Sequence, residues 1–296
     1  MKIEEGNFGD IIFVTIEELR QIDLPLNRRF ELNVSWEGVN YEFLLYLTNV
    51  KRLICFGSGA MNLKETYNLP LYKRHSWYKH FKESTLYYND PTLYLPPNSD
   101  TFPDKDISIG WGVGTENCWY LEKIGEIIQI IANKINVPVN DLLFFSSSGG
   151  GFMSIVLATL IKGSFAIANN PQIFIENFDY RDKANKMLDT CFPGLDKEII
   201  LKKYKHRIDC IELFKKENYV PPVRCIFNIH SAKDVHTQVI PAIKALEEID
   251  INNPFSIEFY SEEGNHNGVI SKKDSINLLK NHYITRDQLI KKETEK

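Results

Sequence analysis

The run Phe144-Phe145-Ser146-Ser147-Ser148-Gly149-Gly150-Gly151-Phe152 constrains this chain more than any other stretch. It joins an apolar strand-like segment, Leu142 to Phe145, directly to a helix-like one, Phe152 to Ile161. A strand-to-helix turn built from small residues is the layout of a nucleophile elbow, G-x-S-x-G, in which the tip serine needs small neighbours two positions before and two after it. Centred on Ser148, those neighbours are Ser146 and Gly150. Centred on Ser147 they are Phe145 and Gly149, and a phenylalanine is too large for the first position. Ser148 is therefore the candidate nucleophile, with serine standing where the pattern has its first glycine.

A serine hydroxyl is a poor nucleophile until a base takes its proton, and the base in turn needs an acid to orient it. The apolar run Val223 to Ile229 ends in His230-Ser231-Ala232-Lys233-Asp234-Val235-His236, which puts Asp234 just past a strand. A second run, Phe255 to Tyr260, ends in Ser261-Glu262-Glu263-Gly264-Asn265-His266-Asn267-Gly268, which puts His266 in a Gly/Asn-rich loop. Serine, then aspartate, then histidine is the chain order of α/β-hydrolases and not that of the chymotrypsin or subtilisin folds. His236 is the rival base. Only two residues from Asp234, it would have to fold back to be oriented by that carboxylate, so it is read as a support or a substrate contact.

The rest of the chain fits an α/β domain. Arg29 to Ser35 and Tyr41 to Leu47 alternate with period two and read as a hairpin opening the sheet, after a short alternating piece in residues 1–28. Lys51 to Phe56 reads as a strand running into Gly57-Ser58-Gly59-Ala60, and Ile107 to Trp111 as the strand before a helix over 116–135. In this architecture one oxyanion-hole N–H comes from the loop after the third strand and the other from the residue after the nucleophile. Gly59 or Ala60, with Gly149, are the candidates. Residues 174–220 read as a small helical insertion, and the segment from Lys272 as a packed helix.

With 296 residues, 43 % of them hydrophobic, a single α/β domain spanning the chain has ample core. A net charge of −4 gives no reason to expect nucleic acid. The five cysteines form no CxxC pair, so they read as small hydrophobic residues in a reducing compartment and not as metal ligands. No apolar run approaches 18 residues and no leader pattern is seen, so a cytoplasmic protein is expected, with homo-oligomerisation left open. The segment Tyr72 to Lys82 holds four cations, four aromatic residues and no acid. It reads either as a basic helix packed by its aromatics or as an anion clamp, with Lys73, Arg74 and Trp77 as substrate-binding residues.

Phe145 to Gly151, Asn169-Asn170-Pro171-Gln172, Asn228 to His236 and Gly264-Asn265-His266 together resemble α/β-hydrolase-fold proteins of bacterial capsule and surface-polysaccharide clusters. Within them, the chain is similar to the acetyl-CoA-dependent capsule polysaccharide O-acetyltransferases, over residues 40–285. The resemblance implies a mostly parallel sheet flanked by helices, with Ser148 as nucleophile, Asp234 as acid and His266 as base. It also implies acetyl-CoA as co-substrate, with no resident cofactor, and a polysaccharide acceptor. Esterases share the same parts, so ester hydrolysis is the alternative. A catalytically silent accessory protein of polysaccharide assembly or secretion is a second.

Overall fold

A computed structural model of the protein describes residues 1–61, 69–96, 107–251 and 254–294, the last six as backbone only. The strands are β1 (Lys2–Gly6), β2 (Gly9–Thr15), β3 (Arg29–Trp36), β4 (Val39–Tyr46), β5 (Leu53–Phe56), β6 (Ser84–Tyr88), β7 (Leu142–Ser147), β8 (Phe165–Asn169), β9 (Val223–Asn228) and β10 (Phe255–Tyr260). They form one sheet in the order β1-β2-β3-β4-β6-β5-β7-β8-β9-β10. From β6 to β10 every neighbouring pair is parallel. The helices are α1 (Ile16–Gln21), α2 (Tyr120–Lys134), α3 (Gly149–Leu160), α4 (Arg181–Cys191), α5 (Lys197–Tyr204), α6 (Cys210–Glu217), α7 (Ala232–Asp234), α8 (Ile240–Glu247) and α9 (Lys272–Thr294).

The hairpin of β3 and β4 closes through Glu37 and Gly38, both with positive φ. That is the twist-compatible two-residue turn that hairpins favour. It does not open the sheet, however: β1 and β2 precede it, and β2 pairs with β3 in parallel. Two further expectations need correction. Ile107 to Trp111 is not a strand. Trp111 and Gly112 both take positive φ and turn the chain back, while the buried Asp90 carboxylate accepts the Gly112 N–H at 2.9 Å. Apolar residues at alternating positions report burial, which a loop packed against Gly149 at the start of α3 satisfies as well as a strand does. The strand that does lie between β4 and β5 is β6, a five-residue run with no polar alternation because it is buried throughout. The helix expected from residue 116 starts at Tyr120, since Gly114 has φ +76 and Thr115 pairs with Cys118 in a turn.

Period-two alternation sends Phe144 to one side of the sheet and Phe145 to the other. Leu142, Phe144, Ala166 and Ala168 join the core formed with α2, α3 and α6. Leu143, Phe145, Ile54, Phe56 and Ile167 join the opposite core, closed by Trp77, Phe81 and, from α9, Ile276, Leu279 and Tyr283. Every residue of α3 but Leu160 is buried, so this helix has no polar face: it runs between the sheet and its neighbouring helices. With parallel strands, all the loops that follow β5, β7, β8, β9 and β10 emerge at one rim, where ligands of open α/β sheets bind.

Candidate active site

Ser148 lies between β7 and α3 with φ 56 and ψ −129, backbone angles that a residue with a side chain holds only under constraint. The constraint is visible. Its N–H donates to Asn169 O at 3.0 Å, and its carbonyl accepts the Phe152 N–H at 3.2 Å. A Cβ on Gly149 would run into Ile109, one on Gly150 into the Ser146 side chain, and one on Gly151 into Pro171 at 2.8 Å. The three glycines therefore let α3 start directly under the turn. Ser146 takes the role of the pattern's first glycine because its hydroxyl tucks sideways and donates to Gly57 O at 2.8 Å. Ser147 is the last strand residue, and its hydroxyl accepts from Arg74 Nη2 at 2.7 Å.

The Ser148 hydroxyl stands 2.9 Å from His266 Nε2, and His266 Nδ1 stands 2.7 Å from Asp234 Oδ2. The same Asp234 oxygen accepts from the Ser231 hydroxyl at 2.6 Å. Asp234 is buried and His266 half-buried, so the acid is shielded while the base still faces the rim. A hydroxyl, an imidazole and a carboxylate in this sequence can pass the hydroxyl proton to the ring and stabilise the imidazolium that forms. Gly59 packs beside the turn, where its Cβ position is 3.7 Å from Ser148 Cβ and 3.9 Å from Gly149 N. The N–H groups of Gly59, Ala60 and Gly149 have no hydrogen-bond partner among the described residues, and Gly149 opens helix α3 with its dipole aimed at the rim.

Sequence reading gave no role to the residues that hold the histidine loop. The buried Asn228 amide, at the end of β9, donates to the carbonyls of Glu262, Asn265 and Gly268 at 2.7, 3.0 and 3.2 Å. Asn170 donates to His266 O at 3.0 Å, and its own amide oxygen accepts the Asn228 N–H at 2.8 Å. The signal lay in three asparagines at strand ends, Asn169, Asn170 and Asn228, where side-chain amides satisfy backbone groups that the sheet no longer pairs. Gln172, named in the sequence reading only as part of a motif, had no role assigned: buried, it donates from Nε2 to the Ser148 hydroxyl at 3.2 Å.

The other expected contacts divide. Arg74 reaches the elbow, its guanidinium 5.5 Å from the ring centres of both Trp77 and Phe145, and pairs with no carboxylate among the described residues. Burial pulls its pKa down to about 10, which leaves it cationic at neutral pH. Lys73 turns the other way and donates to Ala60 O at 2.6 Å, so it braces the β5 loop. Trp77 is placed in the second core, edge-on to Phe56, and carries Arg74 instead of facing the rim. His236 is exposed on a turn of π-helix between α7 and α8, outside the cleft lining. Beside His266 opens a cleft of about 340 Å3, whose lining includes Phe178, Asp179, Tyr180 and Lys233.

The sequence matches no protein-family model and no curated protein. Solved structures do match. The capsule O-acetyltransferase of Neisseria meningitidis serogroup A superposes with a TM-score of 0.58 at 16 % identity, over 86 % of this chain and 96 % of that one. A mutant of that enzyme in complex with CoA gives 0.58 at 15 %, over 84 % and 94 %. Acetyl xylan esterase 1 from a Thermoanaerobacterium species gives 0.57 at 12 %, over 94 % and 86 %. The fold is that of the α/β-hydrolases. Among the described residues no helix is long and apolar enough to cross a membrane.

Proposed function

We propose that the chain is a serine acyltransferase that moves an acetyl group from acetyl-CoA to a hydroxyl of a bacterial capsular or surface polysaccharide. One observation carries the reading: a serine held at φ 56 on a strand-to-helix turn, within hydrogen-bond distance of a histidine that is itself hydrogen-bonded to a buried aspartate. Ser148 Oγ attacks the thioester carbonyl while His266 Nε2 takes its proton. The oxyanion meets the Gly149 N–H and that of Gly59 or Ala60, and CoA leaves as the thiol with the proton from His266. In the second half His266 takes the proton of a sugar hydroxyl, which attacks the acetyl-Ser148 ester.

The likeness to a capsule O-acetyltransferase supports the choice of acceptor, and that enzyme's complex with CoA supports the donor. Arg74 adds a cation that pairs with no carboxylate among the described residues at the elbow, suited to an anionic donor. The cleft beside His266, with the exposed Tyr180 ring next to Asp179 and Lys233, suits a sugar that stacks and hydrogen-bonds. Its openness to solvent favours a second reading, ester hydrolysis, with water in the place of the sugar, as the likeness to an acetyl xylan esterase also suggests. Incubation with acetyl-CoA, with and without polysaccharides, separates them. Free thiol release that rises with a polysaccharide supports transfer; brisk cleavage of p-nitrophenyl acetate with no polysaccharide-dependent thiol release supports the esterase.

A further inference from the structure

We infer that Gln172 is a catalytic residue: a fixed side-chain donor to the nucleophile oxygen, aimed by Trp111. The inference rests on the reading of Ser148 as nucleophile and goes beyond it. The orientation of the Gln172 amide is decided by chemistry. An indole N–H can only donate, so the amide atom 3.2 Å from Trp111 Nε1 is the oxygen, and the NH2 points to the Ser148 hydroxyl 3.2 Å away. Trp111 has no freedom to release it: it is fully buried, takes φ 49, sits against Gly149, and meets Phe178 edge-on at 5.3 Å between ring centres. The backbone beyond Gln172 is equally pinned, because the buried Gln238 amide oxygen accepts the N–H groups of both Ile173 and Phe174, at 2.7 and 2.9 Å.

Two consequences follow for the reaction. A serine hydroxyl has one proton to give, and when its oxygen accepts from Gln172 that proton is directed to His266 Nε2, the direction the attack requires. As Ser148 Oγ bonds to the acyl carbon, its proton passes to His266 and no proton leaves Gln172. The amide NH2 stays in place on Ser148 Oγ and stabilises, without reorganisation, the partial negative charge that this oxygen carries as its proton leaves; the oxyanion on the carbonyl oxygen is left to the backbone N–H groups. When the acyl-enzyme breaks, the same NH2 donates to Ser148 Oγ as it recovers the bonding electrons.

The test is the rate at which a fluorophosphonate labels Ser148, a step in which Oγ forms the bond to phosphorus, fluoride leaves and His266 takes the proton. It needs no knowledge of donor or acceptor. Gln172→Ala is expected to lower the labelling rate and the kcat for p-nitrophenyl acetate by about 10²-fold with KM little changed, the scale of losing one preorganised donor. Gln172→Glu keeps the shape but sets a carboxylate against the oxygen, and is expected to be slower than Gln172→Ala while unfolding at a similar temperature. Labelling of Gln172→Ala within twofold of wild type, or a Gln172→Glu variant as fast as wild type, would overturn the inference while leaving the nucleophile reading intact. A wild-type chain that fails to label would overturn both.

Discussion

The packing of Ser146 against Gly150 makes a quantitative test of how this elbow is built. A Cβ on Gly150 would lie 2.9 Å from Ser146 Cβ, closer still to Ser146 Oγ, and 3.1 Å from the Ser58 carbonyl carbon. Gly150→Ala must therefore displace the Ser146 side chain and break its bond to Gly57 O. Overpacking of this kind costs about 1–3 kcal/mol, and a buried carbonyl left without its donor costs about 1–3 kcal/mol more. The expected loss is about 2–6 kcal/mol, a large share of the roughly 5–15 kcal/mol that holds a domain together. Ser146→Gly removes both clashing atoms at once, so in that background Gly150→Ala should cost at least about 2 kcal/mol less. Urea unfolding of wild type, both single variants and the double variant gives the coupling directly. If the two changes were additive, the elbow would not turn on Ser146 and Gly150. A register centred on Ser147 would instead couple Phe145 to Gly149.

Three other outcomes are expected. Asn228→Asp replaces three donated hydrogen bonds with a carboxylate facing three carbonyls, and should lower stability by about 3 kcal/mol or more and kcat by a larger factor than KM, read by unfolding and steady-state kinetics. Arg74→Gln should raise the KM for acetyl-CoA about tenfold, with a reduced salt dependence, and the loss should be several-fold smaller for p-nitrophenyl acetate; equal losses would assign Arg74 to bracing Ser147 alone. Burial holds the His282 imidazole, edge-on to Phe165, down to about 4. The fold thus favours its neutral form: the stability it contributes is complete above the unfolded value near 6.5 and is lost as pH falls toward 4, by at most about 3 kcal/mol. His282→Phe should flatten the melting temperature over that range.

That Ser148, Asp234 and His266 meet at the rim was legible because the expectation rests on residue types that little else explains. A strand, six small residues and a helix identify an elbow; an acid and a histidine after later strands complete the order. The supporting parts were less legible for physical reasons. Asn228 and Gln172 act through side-chain amides whose partners are backbone carbonyls and a hydroxyl far off in sequence, and no spacing rule announces such bonds. For Tyr72 to Lys82 composition left open a helix packed by its aromatics and an anion clamp; Trp77 closes a core, as the first has it, and Lys73 reaches a loop carbonyl, which composition does not announce. Ile107 to Trp111 shows the limit of periodicity, which marks what is buried and not how the backbone runs.

The claim at the centre of this account is that acetyl passes through Ser148. Mixing the protein with acetyl-CoA in the absence of any acceptor, quenching in acid and measuring intact mass tests it most directly. The expected result is a protein heavier by one acetyl group, with the modification mapped to Ser148, no adduct in Ser148→Ala and slowed formation in His266→Ala. Acetyl found on Ser147 or another residue, or an adduct that survives in Ser148→Ala, would contradict it.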